Sequence, residues 1–165
     1  MADGDTRNDG SAAHFMRRAI ALSCERMEAG SGGPFGAVIV RDGAIIAEGW
    51  NEVTSSNDPT AHAEVMAIRR ACAALGRFDL RGCEIYSSCE PCPMCLAAIY
   101  WARLEKIHFA NDRMNAAAIG FDDAFLYDEI PLPVERRGIP TVRLLAEEGR
   151  AAFDLWASKP DRISY

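Results

Sequence analysis

Residues 61–95 read AHAEVMAIRRACAALGRFDLRGCEIYSSCEPCPMC. Apolar side chains recur at helical spacing through the first fifteen positions and stop at Gly76, and Asp58-Pro59-Thr60 just upstream are residues that start helices. Cys83 to Ser87 predicts a short buried strand, and Cys92 to Ala102 a second helix entered through Pro91 and Pro93. A helix, a strand and a helix in this order are the repeating unit of an α/β domain.

The flanking segments extend that pattern. Upstream, Phe15, Met16, Ala19, Ile20, Leu22, Ser23 and Met27 form a helical apolar stripe that ends at Gly30. Residues 36–40 and 44–47 are apolar runs on either side of Arg41-Asp42-Gly43, which predicts an antiparallel hairpin. Downstream, residues 106–110 predict a fourth strand, 115–127 a helical stretch interrupted at Gly120, 141–145 a fifth strand and 147–157 a last helix. Helices separate the third, fourth and fifth strands, so those strands are expected to be parallel, with helices covering both faces of a mixed five-stranded sheet.

With 165 residues, 49% of them apolar, the chain suffices for one domain with a substantial core. Residues 1–11 are polar and rich in Gly and Asp and are expected to be a disordered leader. The domain proper is placed at residues 12–157. A net charge of −6 disfavours a polyanionic nucleic-acid partner. Neither a signal peptide nor a membrane-spanning run is present, which predicts a cytoplasmic protein without a membrane partner. Cys24, Cys72 and Cys83 lie in apolar stretches and are expected to be small core residues, and Trp50 and Trp156 to be packing residues.

Two segments carry the chemistry. His62-Ala63-Glu64 opens one helix and Cys92-Pro-Met-Cys95 the next. Cysteines at i and i+3 share one helical face near the positive end of the helix dipole, which favours the thiolates that a metal ion requires. Zinc takes tetrahedral N/S ligation, and three protein ligands leave the fourth position for water. His62, Cys92 and Cys95 supply three, for one zinc ion per chain. Glu64 then serves as proton carrier beside a metal that lowers the pKa of its water. Cys-x-x-Cys by itself also occurs in redox pairs and structural zinc knuckles. His-x-Glu followed about 30 residues later by Pro-Cys-x-x-Cys is the signature of zinc deaminases acting on nucleobases.

The segments GGPFGAVIV, SNDPTAHAEVMAIR, SSCEPCPMCLAAIYWAR and AIGFDD, with a terminal tyrosine, resemble the bacterial guanine deaminases of the cytidine-deaminase-like fold, from about His14 to Tyr165. The resemblance implies a three-layer α/β fold and hydrolysis of guanine to xanthine and ammonia. It implies His62, Cys92 and Cys95 as zinc ligands, Glu64 as the catalytic proton shuttle, and Asn51 and Asp123 as hydrogen-bond partners of the base. Phe35 and Trp101 are candidates to stack on the purine or wall it in. The resemblance further implies that residues 158–165 form a lid carrying Tyr165 over the base, supplied by the other subunit of a swapped homodimer. Other readings of single residues stay open: Asn51 suits a turn, Asp123 a helix cap, and Phe35 and Trp101 a core.

Guanosine or another small amino-heterocycle is the nearest alternative substrate, because guanosine deaminases share much of this pattern. A tRNA adenosine deaminase shares Asp-Pro-Thr-Ala-His-Ala-Glu and Pro-Cys-x-Met-Cys but must grip a polyanion. A non-catalytic zinc protein has no use for Glu64.

Overall fold

The computed structural model describes residues 11–164. It falls into two compact units, one ending at Asp123 and the other beginning at Ala124. No helix among the described residues is long and apolar enough to cross a membrane.

In the first unit, helix α1 (Ala12–Glu28) begins at Ser11, whose hydroxyl accepts a hydrogen bond from the His14 N–H at 3.2 Å. Residues 1–10, the rest of the expected leader, lie outside the described residues. Strands β1 (Gly36–Arg41) and β2 (Ala44–Trp50) form the expected hairpin. Its turn places Asp42 and Gly43 at φ 51° and 75°, the pair of positive φ values that a two-residue Asp-Gly connection needs. A one-turn helix, α2 (Val53–Ser56), follows. Helix α3 (Ala63–Leu75) starts later than its sequence signal: Asp58 instead closes a local turn, accepting from the Thr60 N–H at 2.8 Å and its hydroxyl at 2.6 Å. Then come β3 (Cys83–Cys89), α4 (Pro93–Trp101), β4 (Lys106–Asn111) and α5 (Arg113–Ala118).

The sheet order is β2-β1-β3-β4, with β1 antiparallel to β2 and β3, and β3 parallel to β4 across α4. The mixed α/β sheet is as expected, but it has four strands. Residues 141–145, expected as the fifth, form no ladder. The segment has the right residue types, yet a strand is a pairing and none is made. Leu145 turns into the left-handed region at φ 51°, and Val142 and Leu144 remain 74% and 77% exposed.

Alternate residues of the strands feed two cores, one on each face. Ala37, Ile39, Cys83 and Ile85 pack with Ala63, Ala67 and Ala71 of α3 and Ile99 of α4. Val38, Val40 and Tyr86 pack with Phe15, Ala19 and Leu22 of α1. β1 therefore reads as an unbroken apolar run because both of its faces are covered. Of the cysteines expected in the core, Cys83 is buried, Cys72 half-buried and Cys24 exposed, because position 24 faces away from the sheet. Trp50 packs as expected, its ring held between the Arg26 and Arg70 guanidinium groups, each 4.0 Å from the ring centroid.

The second unit contains α6 (Ala124–Glu129), a 3₁₀ turn (Val134–Arg136) and α7 (Ala146–Ser158). Gly138 donates its N–H to Glu129 Oε2 at 2.7 Å, and Arg137 Nε donates to the Leu132 carbonyl at 3.1 Å. None of these three elements buries a residue; Trp156, expected to pack, is 44% exposed.

One contact places α3. A Cβ at Gly49 of β2 would collide with the Ala63 carbonyl and the Ala67 N–H, backbone atoms that cannot rotate away. Gly49→Ala is therefore expected to push α3 off the sheet and destabilise the protein by about 1–3 kcal/mol, the usual cost of overpacking. Denaturant unfolding checks this; an unchanged midpoint would show that α3 is free to shift.

Candidate active site

The strand ends assemble the site. Phe35 immediately precedes β1, Asn51 immediately follows β2, Cys89 ends β3, and Asn111 ends β4 opposite it. Since β1 is antiparallel to its neighbours and Gly36 pairs with Trp50, these four positions lie at the same end of the sheet. The N-termini of α3 and α4 meet there, with His62 and Cys92 as their N-caps.

Of the expected ligands, His62 Nδ1 lies 3.6 Å from Cys92 Sγ and 3.5 Å from Cys95 Sγ. All three ligand atoms lie within 4.8 Å of one another. Tetrahedral zinc with Zn–N and Zn–S bonds of about 2.05 and 2.3 Å requires N···S separations of about 3.5 Å. The donor set therefore fits zinc in both chemistry and spacing. Cys95 is buried, while His62 and Cys92 are half-buried and line a cavity of about 450 Å³, within the range of small-molecule sites.

Burial and proximity set the charges. The Cys92 thiol is pushed down to about 4, chiefly by the hydrogen bond from Cys95, with His62 adding to it against the opposing effect of burial. The hydrogen bond to Cys92, with burial adding to it, pushes the Cys95 thiol up. That Cys92 contact also raises the His62 imidazolium above its usual 6.5. Glu64 is only 6% exposed, and desolvation raises its carboxyl above the usual range. Asp123 is likewise raised, by burial first and then by the nearby Cys92 charge.

The other expected residues divide. Asn51, 6% exposed, lines the cavity, and its Oδ1 accepts the N–H groups of Gly33 and Val53, each at 3.2 Å. It thus does serve local backbone, and in doing so fixes its amide orientation. Gly32 makes room for it, since a Cβ there would lie 2.5 Å from Asn51 Oδ1. Phe35 and Asp123 also line the cavity. Trp101 does not: it ends α4 on the outer surface at 68% exposure. Its position in the sequence, six residues past Cys95, carries it about one and two-thirds turns along the helix and away from the site. Tyr165 lies outside the described residues.

Several cavity residues escaped sequence reasoning. Phe121 packs edge-on against Phe35 with centroids 4.9 Å apart, and only its place inside the Gly120–Asp123 motif marked it. Cys89, Glu90 and Arg113 line the cavity with no sequence signal beyond adjacency to strand ends. Desolvation raises Cys89 to about 11, which keeps it a neutral thiol.

Residues 10–111 match the family model described as the cytidine and deoxycytidylate deaminase zinc-binding region. The guanine deaminase of Bacillus subtilis is 55% identical over 92% of this chain and 97% of its own length. A solved structure of guanine deaminase from that organism superposes with a TM-score of 0.92 at 54% identity, covering 94% of this chain and 99% of that one. The solved guanine deaminase of Nitrosomonas europaea is 33% identical, with a TM-score of 0.65 over 68% of this chain and 65% of that one. A tRNA-specific adenosine deaminase of Agrobacterium fabrum is 41% identical over 64% of this chain and 69% of its own length.

The geometry predicts one zinc per chain by elemental analysis, lost in Cys95→Ala and kept in Glu64→Ala. All three ligands must be deprotonated to bind the metal, so zinc affinity should weaken as pH falls; an affinity that does not change with pH would contradict ligation by these residues. In its matched motif region, its three-ligand geometry and its likeness over nine-tenths of its length to a guanine deaminase, the chain belongs to the cytidine and deoxycytidylate deaminase zinc-binding family.

Proposed function

We infer that the protein catalyses zinc-dependent hydrolysis of guanine to xanthine and ammonia. The observation that carries this is the placing of His62, Cys92 and Glu64 in the lining of a cavity shared with Asn51 and Asp123, with Cys95 within ligand distance of His62 and Cys92. The 55% identity to a guanine deaminase selects the substrate. Zinc held by the three ligands supplies Lewis acidity that makes water nucleophilic near neutral pH.

The chain's own residues do the rest. Glu64 accepts a proton from the water that attacks C2 and passes it to the adjacent ring nitrogen; it then takes the second proton from the resulting C2 hydroxyl and delivers it to the departing amino group. Water thus replaces the amino group as a carbonyl, and ammonia leaves. The desolvation that raises Glu64 lets the same carboxyl hold a proton between these transfers. With its oxygen committed to Gly33 and Val53, Asn51 presents its amide N–H groups to the acceptors O6 and N7. Asp123 accepts from a ring N–H, and Phe35 with Phe121 forms an apolar wall. A tRNA substrate is disfavoured by the net charge of −6.

The enzyme works as a homodimer in which the partner's C-terminal segment, ending at Tyr165, closes the pocket. The second unit supports this: Ile139, Val142, Leu144, Phe153 and Leu155 are each more than 70% exposed, apolar surface of the kind a second copy of the chain covers. A cytoplasmic location fits a Cys92–Cys95 pair that must stay reduced to hold zinc.

Guanine is expected to show much higher kcat/KM than guanosine, with xanthine as product by chromatography, and Glu64→Ala to lose about 10²–10⁴-fold in kcat. Equal or better turnover of guanosine would redirect the substrate assignment. Asp123→Asn should weaken kcat/KM; an unchanged value would remove Asp123 from base recognition.

For the lid, Glu64→Ala and a chain truncated after Ser158 are each expected to be inactive alone. Refolded as a mixture they should recover activity, because intact Glu64 meets an intact tail from the partner. Heterodimers verified by mass spectrometry that stay inert would place the lid in cis.

A further inference from the structure

Ser87 sits on β3 on the face that packs against α3. On that face Cys83 and Ile85 are buried apolar residues, and position 87 is polar though only 2% exposed. A small serine in a strand core often only fills space. Here its hydroxyl has a specific partner: Ser87 Oγ lies 3.2 Å from Glu64 Oε1, and both residues are buried. A buried hydroxyl without an acceptor is costly, and a carboxylate in this setting needs donors.

A neighbouring thiol such as Cys95 gives up its proton on becoming a metal ligand. Ser87 Oγ is a donor from another element that keeps its proton when zinc binds.

We propose that Ser87 is the positioning residue of the proton shuttle: by donating to Oε1 it anchors one carboxylate oxygen of Glu64 to the sheet and leaves Oε2 turned toward the cavity. A glutamate has three side-chain torsions, and a proton carrier must keep one oxygen within hydrogen-bond reach of water, ring nitrogen and amino group in succession. The helix alone fixes only where the side chain starts. The bond from β3 fixes where it ends, and because β3 also leads into Cys92, shuttle and zinc ligands share one frame.

The inference rests on Glu64 being the proton carrier for guanine, so the experiment tests both separately. Steady-state kinetics on guanine and zinc content are measured for wild type, Glu64→Ala, Ser87→Ala, Ser87→Thr and the nearly isosteric weak donor Ser87→Cys. Ser87→Ala is expected to keep its zinc and its KM while losing about 10- to 100-fold in kcat, the usual effect of removing an outer-shell partner. Ser87→Thr, which keeps the hydroxyl on a residue suited to strands, is expected to restore kcat to within a few-fold.

If Ser87→Ala misfolds, Ser87→Cys carries the test and is expected to show the same kcat loss. Full kcat in a folded, zinc-loaded Ser87→Ala or Ser87→Cys overturns the proposal, as does a Ser87→Thr no better than alanine. Wild type inert on guanine, or an active Glu64→Ala, overturns instead the function on which it rests.

Discussion

Everything at this site depends on how closely α3 lies against the sheet. Its inward stripe is Ala63, Ala67 and Ala71, and its backbone meets β2 where Gly49 offers no side chain. Larger residues at any of these positions would hold the helix farther out and carry His62 and Glu64 with it. The small stripe contributes little buried area per residue, so its value is geometric. It sets helix N-terminus, strand end and metal ligands within reach of one another, and the bulkier Ile39, Leu80, Ile85 and Ile99 supply the apolar burial.

The second constraint is electrostatic. Two cysteines, a glutamate and an aspartate crowd one end of the domain, and burial raises several of them. The hydrogen bond from Cys95 and the contact with His62 favour the thiolate at Cys92. A divalent cation lets both sulfurs ionise, and the N-termini of α3 and α4 contribute partial positive charge from the backbone. Catalytic design and charge compensation are thus the same arrangement.

Polar bonding at the cavity rim fixes the orientation of one lining side chain. Asn51 spends its oxygen on Gly33 and Val53, which turns a flexible amide into a fixed donor. The close approach of Gly32 locks the same side chain from behind. Such residues read as ordinary loop formers in one dimension, because their role arises only from strand ends brought side by side.

The amino-acid sequence by itself determined the α/β class, the hairpin at Asp42-Gly43, both metal-bearing helix starts and the zinc ligand set. Each of these rests on short-range rules: periodicity, turn chemistry, and ligand spacing within one helical turn. Tertiary structure decided what local rules do not reach. Residues 141–145 have strand-like composition but make no ladder, because pairing needs a neighbour that composition does not provide. Trp101 is a candidate pocket wall by family resemblance, yet at the end of α4 it lies on the surface, outside the cavity lining. Ser87, Phe121 and Arg113 gained their places because β3 and the segments after β4 come to the cavity from far apart in the chain, and only packing decides which side chains meet there.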